Sequence, residues 1–173
     1  MPNWMLSLIL AYMASQSSMV DEVVVRRVRA DELDSLLDLY QDLHTDDVPY
    51  ASQRELQTLW GQVFENPMMH YVVAELDSQL VASCTLVIVP NLTRGGRPFG
   101  LIENVVTRRD YRRRGLGTAA LRYALDLAWA ADCYKVMILT GRKEPGVHRF
   151  YEGAGFEKDG KTGFIVRPPA RAD

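Results

Sequence analysis

The chain has 173 residues, with 20 Lys and Arg against 22 Asp and Glu, so it is sized for one domain with a sizeable core and has no global charge to recommend nucleic acid or a membrane surface as partner. Any basic site must therefore be local. Cys84 lies in an apolar run and Cys133 in a helix-to-strand connection, with no CxxC and no histidine cluster near either; this excludes a zinc site or disulfide framework as the leading reading, predicts no metal, and fits reduced thiols in a cytoplasmic protein.

The chain opens on an apolar run, Trp4 to Ala14, which has no Lys or Arg before it and is too short to span a bilayer. Residues 1–18 read as an N-terminal extension ahead of a single domain over 19–173, because Met19 immediately precedes a strand-like pattern. Export or membrane tethering is the alternative, and an amphipathic docking segment lies between the two. Val23 to Val28 predicts a strand. Asp31 is the expected cap of a helix whose apolar positions Leu33, Leu36, Leu37, Tyr40 and Leu43 follow the helical period, with Pro49 ending the region. A second helix is expected from Ser52 to Phe64, stopped by Asn66-Pro67, with Leu56, Leu59, Trp60 and Val63 on one face.

Residues 70–76 and 79–89 read as an antiparallel hairpin about the polar turn Asp77-Ser78. After a loop of turn formers come the strand Leu101 to Thr107, an arginine loop, a long helix from Leu116 to Ala131 and the strand Lys135 to Thr140, whose lack of polar alternation predicts burial on both faces. A short helix from Val147 to Gly153 and a final hairpin, Phe156 to Lys158 and Phe164 to Val166, complete the chain. In the long helix Leu116, Ala120, Tyr123 and Leu127 line one face and Leu121, Leu125 and Trp129 another, which predicts cover on more than one side. Antiparallel hairpins with a single strand-helix-strand crossover give an α/β chain with a mixed sheet, not a doubly wound one.

"YRRRGLGTAALRYALDLAW", residues 111–129, sets arginines beside glycines at a helix start. Helix N-termini carry unpaired N–H groups and partial positive charge, Gly115 and Gly117 let oxygens approach the main chain, and Arg112, Arg113 and Arg114 add charge-assisted donors, so the loop suits a pyrophosphate. No Lys-Ser/Thr follows the glycines, which excludes a P-loop. Gly115, Gly117 and Ala120 match the dinucleotide fingerprint only nominally, since "RRDYRRR" separates them from the strand and no acidic residue ends the next one.

"RRRGLG" and the surrounding "ENVVTRRDYRRRGLGTAAL" resemble the Q/R-x-x-G-x-G/A signature of the GCN5-related N-acetyltransferase (GNAT) family, and "RFYEGAGF" resembles its later FYE-x-x-GF element. "IEN" with "CYKVMILTGRKEPGVHRFYEGAGF" is particularly similar to the glucosamine-6-phosphate N-acetyltransferase branch. The resemblance implies an acyl-CoA N-acyltransferase fold with a splayed central mixed sheet flanked by helices. It implies acetyl-CoA as co-substrate, its pantetheine along Val105, Val106 and Thr107 and its pyrophosphate on Gly115, Gly117 and their neighbours Arg112, Arg114, Leu116 and Thr118. Arg113 stands where the family often has Gly and is expected to point outward, with a 3'-phosphate contact as the alternative.

The same resemblance makes Tyr151 the general acid for the coenzyme sulfur and Glu103 the base that takes the amine proton, commonly through water. A Glu among apolar strand residues also requires a wet cleft on its own account. "KEPGVH" lacks the Asn several members carry before the short helix. His148 reads as a surface residue, and His44 and His70 have no ligand-like spacing. The function expected is acetyl transfer to a primary amine of a small molecule by direct attack in a ternary complex. A coenzyme-binding regulatory or assembly module without turnover is the alternative. Homodimerisation is expected from the family. Arg94 and Arg97 are candidates to meet an anionic acceptor, or simply soluble loop residues.

Overall fold

The computed structural model describes residues 23–43 and 48–168. The N-terminal extension, Met19 and His44 lie outside the described residues. Strand β1 (Val24–Arg27) leads through a 3-10 turn (Ala30–Glu32) into α1 (Leu33–Tyr40), then α2 (Gln53–Glu65), β2 (Met69–Leu76), β3 (Gln79–Val89), β4 (Phe99–Thr107), α3 (Leu116–Ala130), β5 (Val136–Ile138) and α4 (Pro145–Gly153). The five strands lie in the order of the chain. Pairing is antiparallel from β1 to β4 and parallel between β4 and β5. Among the described residues no helix is long and apolar enough to cross a membrane.

Both faces of the sheet are covered, which is why β3 is buried along nearly all its length. On one face α3 lays Ala120, Leu121, Ala124 and Ala128 against Val72, Cys84, Leu86 and Ile102. On the other, α1 and α2 bring Leu36, Leu39, Leu56 and Trp60 onto Val73 and Val106. The indole N–H of Trp60 donates to the Ala30 carbonyl at 2.9 Å and fixes α2 to the start of α1. The hairpin turns as its residues require: Asp77 and Ser78 take φ of 50° and 60°, the left-handed pair that matches strand twist. Ser52 caps α2 by accepting the Glu55 N–H at 3.2 Å.

Several expectations are corrected. Asp31 caps nothing; it lies inside the 3-10 turn, and Glu32 instead accepts the Arg29 N–H at 2.7 Å. That carboxylate wins because Arg26 and Arg29 also reach it, both at 2.6 Å. Leu59 is exposed while Leu56 and Trp60 of the same helix are buried. Helix α3 buries one stripe on the sheet, including Leu121, and leaves Trp129 half exposed. Strand β5 is shorter than predicted and half-buried, because it forms the sheet's edge. The final hairpin is absent among the described residues, and Phe164, Ile165 and Val166 are exposed. β-Propensity alone does not hold a strand that has no ladder partner.

Candidate active site

The site begins where the sheet comes apart. Strands β4 and β5 pair only from Gly100 to Ile102 against Val136 to Ile138. Beyond Ile102, β4 runs on to Thr107 with its β5-facing edge unpaired by that strand. A cleft of about 750 Å³ opens in the gap. On its other edge β4 keeps its bonds to β3 but slips register: Ser83 pairs with Val106 and Thr85 with Glu103, so Asn104 and Val105 together oppose Cys84. Asn104 absorbs the bulge at φ 53°. The slip reverses the alternation of β4, with Ile102 and Val105 packing on the α3 face and Val106 on the α1–α2 face.

The arginine loop and the start of α3 close one end of the cleft. Arg112, Arg113, Gly115, Leu116, Gly117 and Thr118 all line it, as do Val105, Val106 and Thr107. Gly115 takes φ of 80°, a conformation that L side chains rarely adopt, with open space where a Cβ would stand. Gly117 has a different reason to be glycine. A Cβ there would lie 2.7 Å from Thr107 Oγ1 and 3.2 Å from the Phe150 ring, so α3 approaches β4 and α4 as closely as a bare backbone allows. Thr107 contributes its carbonyl to Arg112, whose Nε donates at 3.1 Å.

Two of the arginines depart from expectation. Arg113 lines the cleft, held at φ of 64°, in the left-handed region that favours glycine. Arg114 is not among the lining residues; its guanidinium lies over the Tyr111 ring, 5.3 Å from the centroid. Arg108 is a structural residue: its Nε donates to the Leu80 carbonyl at 2.9 Å and it pairs with Asp38. Arg94 and Arg97 stand by the other end of β4, Arg94 over Tyr134 and Arg97 paired with Asp132 at 3.0 Å, and neither lines the cleft.

Glu103 and Tyr151 line the same cleft. Glu103 is solvent-exposed, as a carboxylate on an apolar strand requires. Burial holds the Tyr151 phenol above its ordinary range; the charge of Arg142 opposes that and the charge of Glu103 adds to it. The Glu103 charge therefore reaches the phenol across the gap. Sequence reasoning missed Asp42 and Leu43 after α1, Thr140 and Arg142 after β5, and Phe150 beside Tyr151. The run "LTGRKE" beyond the last apolar strand was the available signal, since ligand sites in such sheets gather past strand C-termini. His148 sits on α4 with Nε2 3.2 Å from the Arg142 carbonyl, which helps fix that loop.

A family model described as the acetyltransferase (GNAT) family matches residues 33–156. A glucosamine 6-phosphate N-acetyltransferase from Trypanosoma brucei brucei is 40% identical over 78 residues, 45% of this chain and 51% of the relative. The chain spans about half the length of the first curated relatives it matches. A solved structure from Agrobacterium tumefaciens str. C58, described as an acetyltransferase, is 43% identical with a TM-score of 0.78, covering 84% of this chain and 99% of its own. The glucosamine-6-phosphate N-acetyltransferase of Arabidopsis thaliana, at 18% identity, shares the fold with a TM-score of 0.74 over 86% of this chain and 99% of its own. With a parted mixed sheet, a glycine-opened helix at its mouth and a family match across most of its described length, the chain belongs to the acetyltransferase (GNAT) family.

Proposed function

We propose that the protein transfers the acetyl group of acetyl-CoA to a primary amine of a small molecule, by direct attack while both are bound. One observation carries the reading: Glu103 and Tyr151 line a single cleft that also holds the unpaired edge of β4 and the glycine-opened end of α3. The cradle suits the coenzyme. Unpaired β4 backbone beyond Ile102 offers an extended chain the hydrogen bonds of an added strand, and the N–H groups at Gly115 to Thr118 with Arg112 and Arg113 suit a pyrophosphate.

The coenzyme supplies an acyl carbon and a thiolate leaving group. The chain's own groups move the protons. Glu103 accepts a proton from the ammonium form of the acceptor, directly or through water, so that nitrogen presents a lone pair. Tyr151, kept protonated by its burial, donates its phenolic hydrogen where negative charge develops on sulfur. Arg112, Arg113 and Arg142 give the cleft a positive rim, which favours an acceptor carrying a phosphate or carboxylate. The names of the relatives make an amino-sugar phosphate the first to try. Two unpaired buried thiols accord with a cytoplasmic setting, and the exposed Phe164, Ile165 and Val166 with a second copy covering them.

Thiol release from acetyl-CoA across a panel of amines, with and without an anionic group, tests the assignment. Turnover with at least one amine is expected. Coenzyme binding with no thiol release across the panel would instead establish a binding module of the same fold.

A further inference from the structure

Two residues past the last rung that β5 makes with β4, Thr140 stands where the strands have parted and lines the cleft together with Tyr151. The chemistry above gives it no part. Helix α4 holds on to this stretch of chain at two points. His148 Nε2 lies 3.2 Å from the Arg142 carbonyl, and since a carbonyl only accepts, that nitrogen carries the hydrogen. Tyr151, one turn along and so on the same side of α4, is hydrogen-bonded through its phenol to the Thr140 hydroxyl. A third bond closes the group, as the Arg142 N–H donates to Thr140 Oγ1 at 3.2 Å.

The direction of the bond between Thr140 and Tyr151 decides what it does. Were Tyr151 the donor, its hydrogen would point at Thr140, and the bond would stabilise the neutral phenol. The Arg142 N–H already fills one acceptor place on Thr140 Oγ1, whereas the Thr140 hydrogen has no acceptor but the phenol among the described residues. We propose that Thr140 donates its hydroxyl hydrogen to the Tyr151 oxygen, which turns the phenol's own hydrogen into the cleft and stabilises the phenolate left behind until solvent returns the proton. Thr140 acts through Tyr151 and is a positioning residue. Burial raises the phenol, and the Arg142 charge and the Thr140 hydroxyl draw it back, so the acid stays protonated without becoming too weak to give its proton up. The inference rests on Tyr151 being the acid of the proposed reaction.

The charged and titratable groups that bear on Tyr151 are Arg142 after β5, Glu103 on β4 and Cys84 on β3; His148 shares its helix, and Asp42, Arg112 and Arg113 line the same cleft. The full chain is labelled with ring-fluorinated tyrosine, whose fluorines bring the phenol's titration down to milder pH. Tyr151 is then followed by 19F NMR in the wild type, Thr140→Val and Thr140→Ser, with Tyr151→Phe supplying the assignment. Loss of a donor to the phenolate raises its pKa, so Thr140→Val should hold the Tyr151 proton roughly threefold or more tightly, and Thr140→Ser should return it to the wild-type value. The same comparison in an Arg142→Gln background should give a shift of the same sign; a shift that vanishes there would trace to a displaced guanidinium and overturn the proposal. A Tyr151 proton unmoved or held more loosely in Thr140→Val also overturns it, the second result showing the phenol to be the donor. If Thr140→Val does not fold, Thr140→Ala decides by the same signs. With an accepted amine, kcat should fall about tenfold in Thr140→Val and recover in Thr140→Ser, and an unchanged kcat would overturn the catalytic role. The titration needs neither coenzyme nor turnover, so a wild type inactive on every amine would defeat the acetyl-transfer reading while leaving the direction of this bond decided.

Discussion

Tyr151 is half-buried between Phe150, 4.9 Å away by ring centroid, and Phe156, and that setting keeps its proton in place through neutral pH. Tyr151→Phe should leave acetyl-CoA affinity within about twofold and lower kcat by about 10²-fold, because only the proton donor is lost. An unchanged kcat with the best acceptor would remove Tyr151 from the chemistry. Glu103→Gln should lower the rate most near neutral pH and recover in part as rising pH deprotonates the amine without help; a loss independent of pH would point to a binding role. At Gly117 the constraint is spatial. Gly117→Val drives two methyl groups into Thr107 and Phe150 and should weaken acetyl-CoA binding at least about tenfold by calorimetry, whereas Arg122→Ala on the exposed side of α3 should not change it. Equal effects would sink the pyrophosphate assignment.

The elements differ in how far local chemistry decides them. The β2–β3 hairpin was legible because its apolar runs and the Asp77-Ser78 turn favour the same geometry. The turn from the arginine loop into α3 was legible because glycine suits the left-handed cap that Gly115 takes there. The β4 bulge was not: "LIENVVT" reads simply as one strand, and only Asn104, a residue that tolerates positive φ, hints that parity flips within it. Thr140, Arg142 and Asp42 escaped notice because their place in the cleft depends on where two strands diverge, which is a tertiary fact. The 3-10 turn before α1 shows a local rule being overridden, as Glu32 displaces Asp31 by joining Arg26, which also bridges to Glu75. Glu32→Gln should cost about 2 kcal/mol at neutral pH. Arg26 holds the Glu32 carboxyl below its ordinary range, so this contribution is present above the unfolded pKa and disappears as pH falls through the folded one. Urea unfolding of both proteins at pH 7 and at pH 3 should show the gap closing; a gap of equal size at both would mean that charge is not its source.

For the whole molecule, the core clusters among the described residues are built from residue 25 onward. A chain beginning at Met19 should fold and bind acetyl-CoA as the full chain does, and light scattering of both should give the same stoichiometry if the contact between copies lies in the domain. A dimer lost on truncation would put that contact in residues 1–18, and failure to fold would show that the domain starts earlier. The three-rung junction between β4 and β5 has a wider consequence. Four strands are stitched along most of their length, whereas β5 and the loop that carries Thr140 and Arg142 hang on the shortest seam in the sheet. Under the proposed function, an extended ligand lying in the gap would act there as a removable splint, leaving the protein more coherent when occupied than when empty. On that reading the site would be braced by its own cargo.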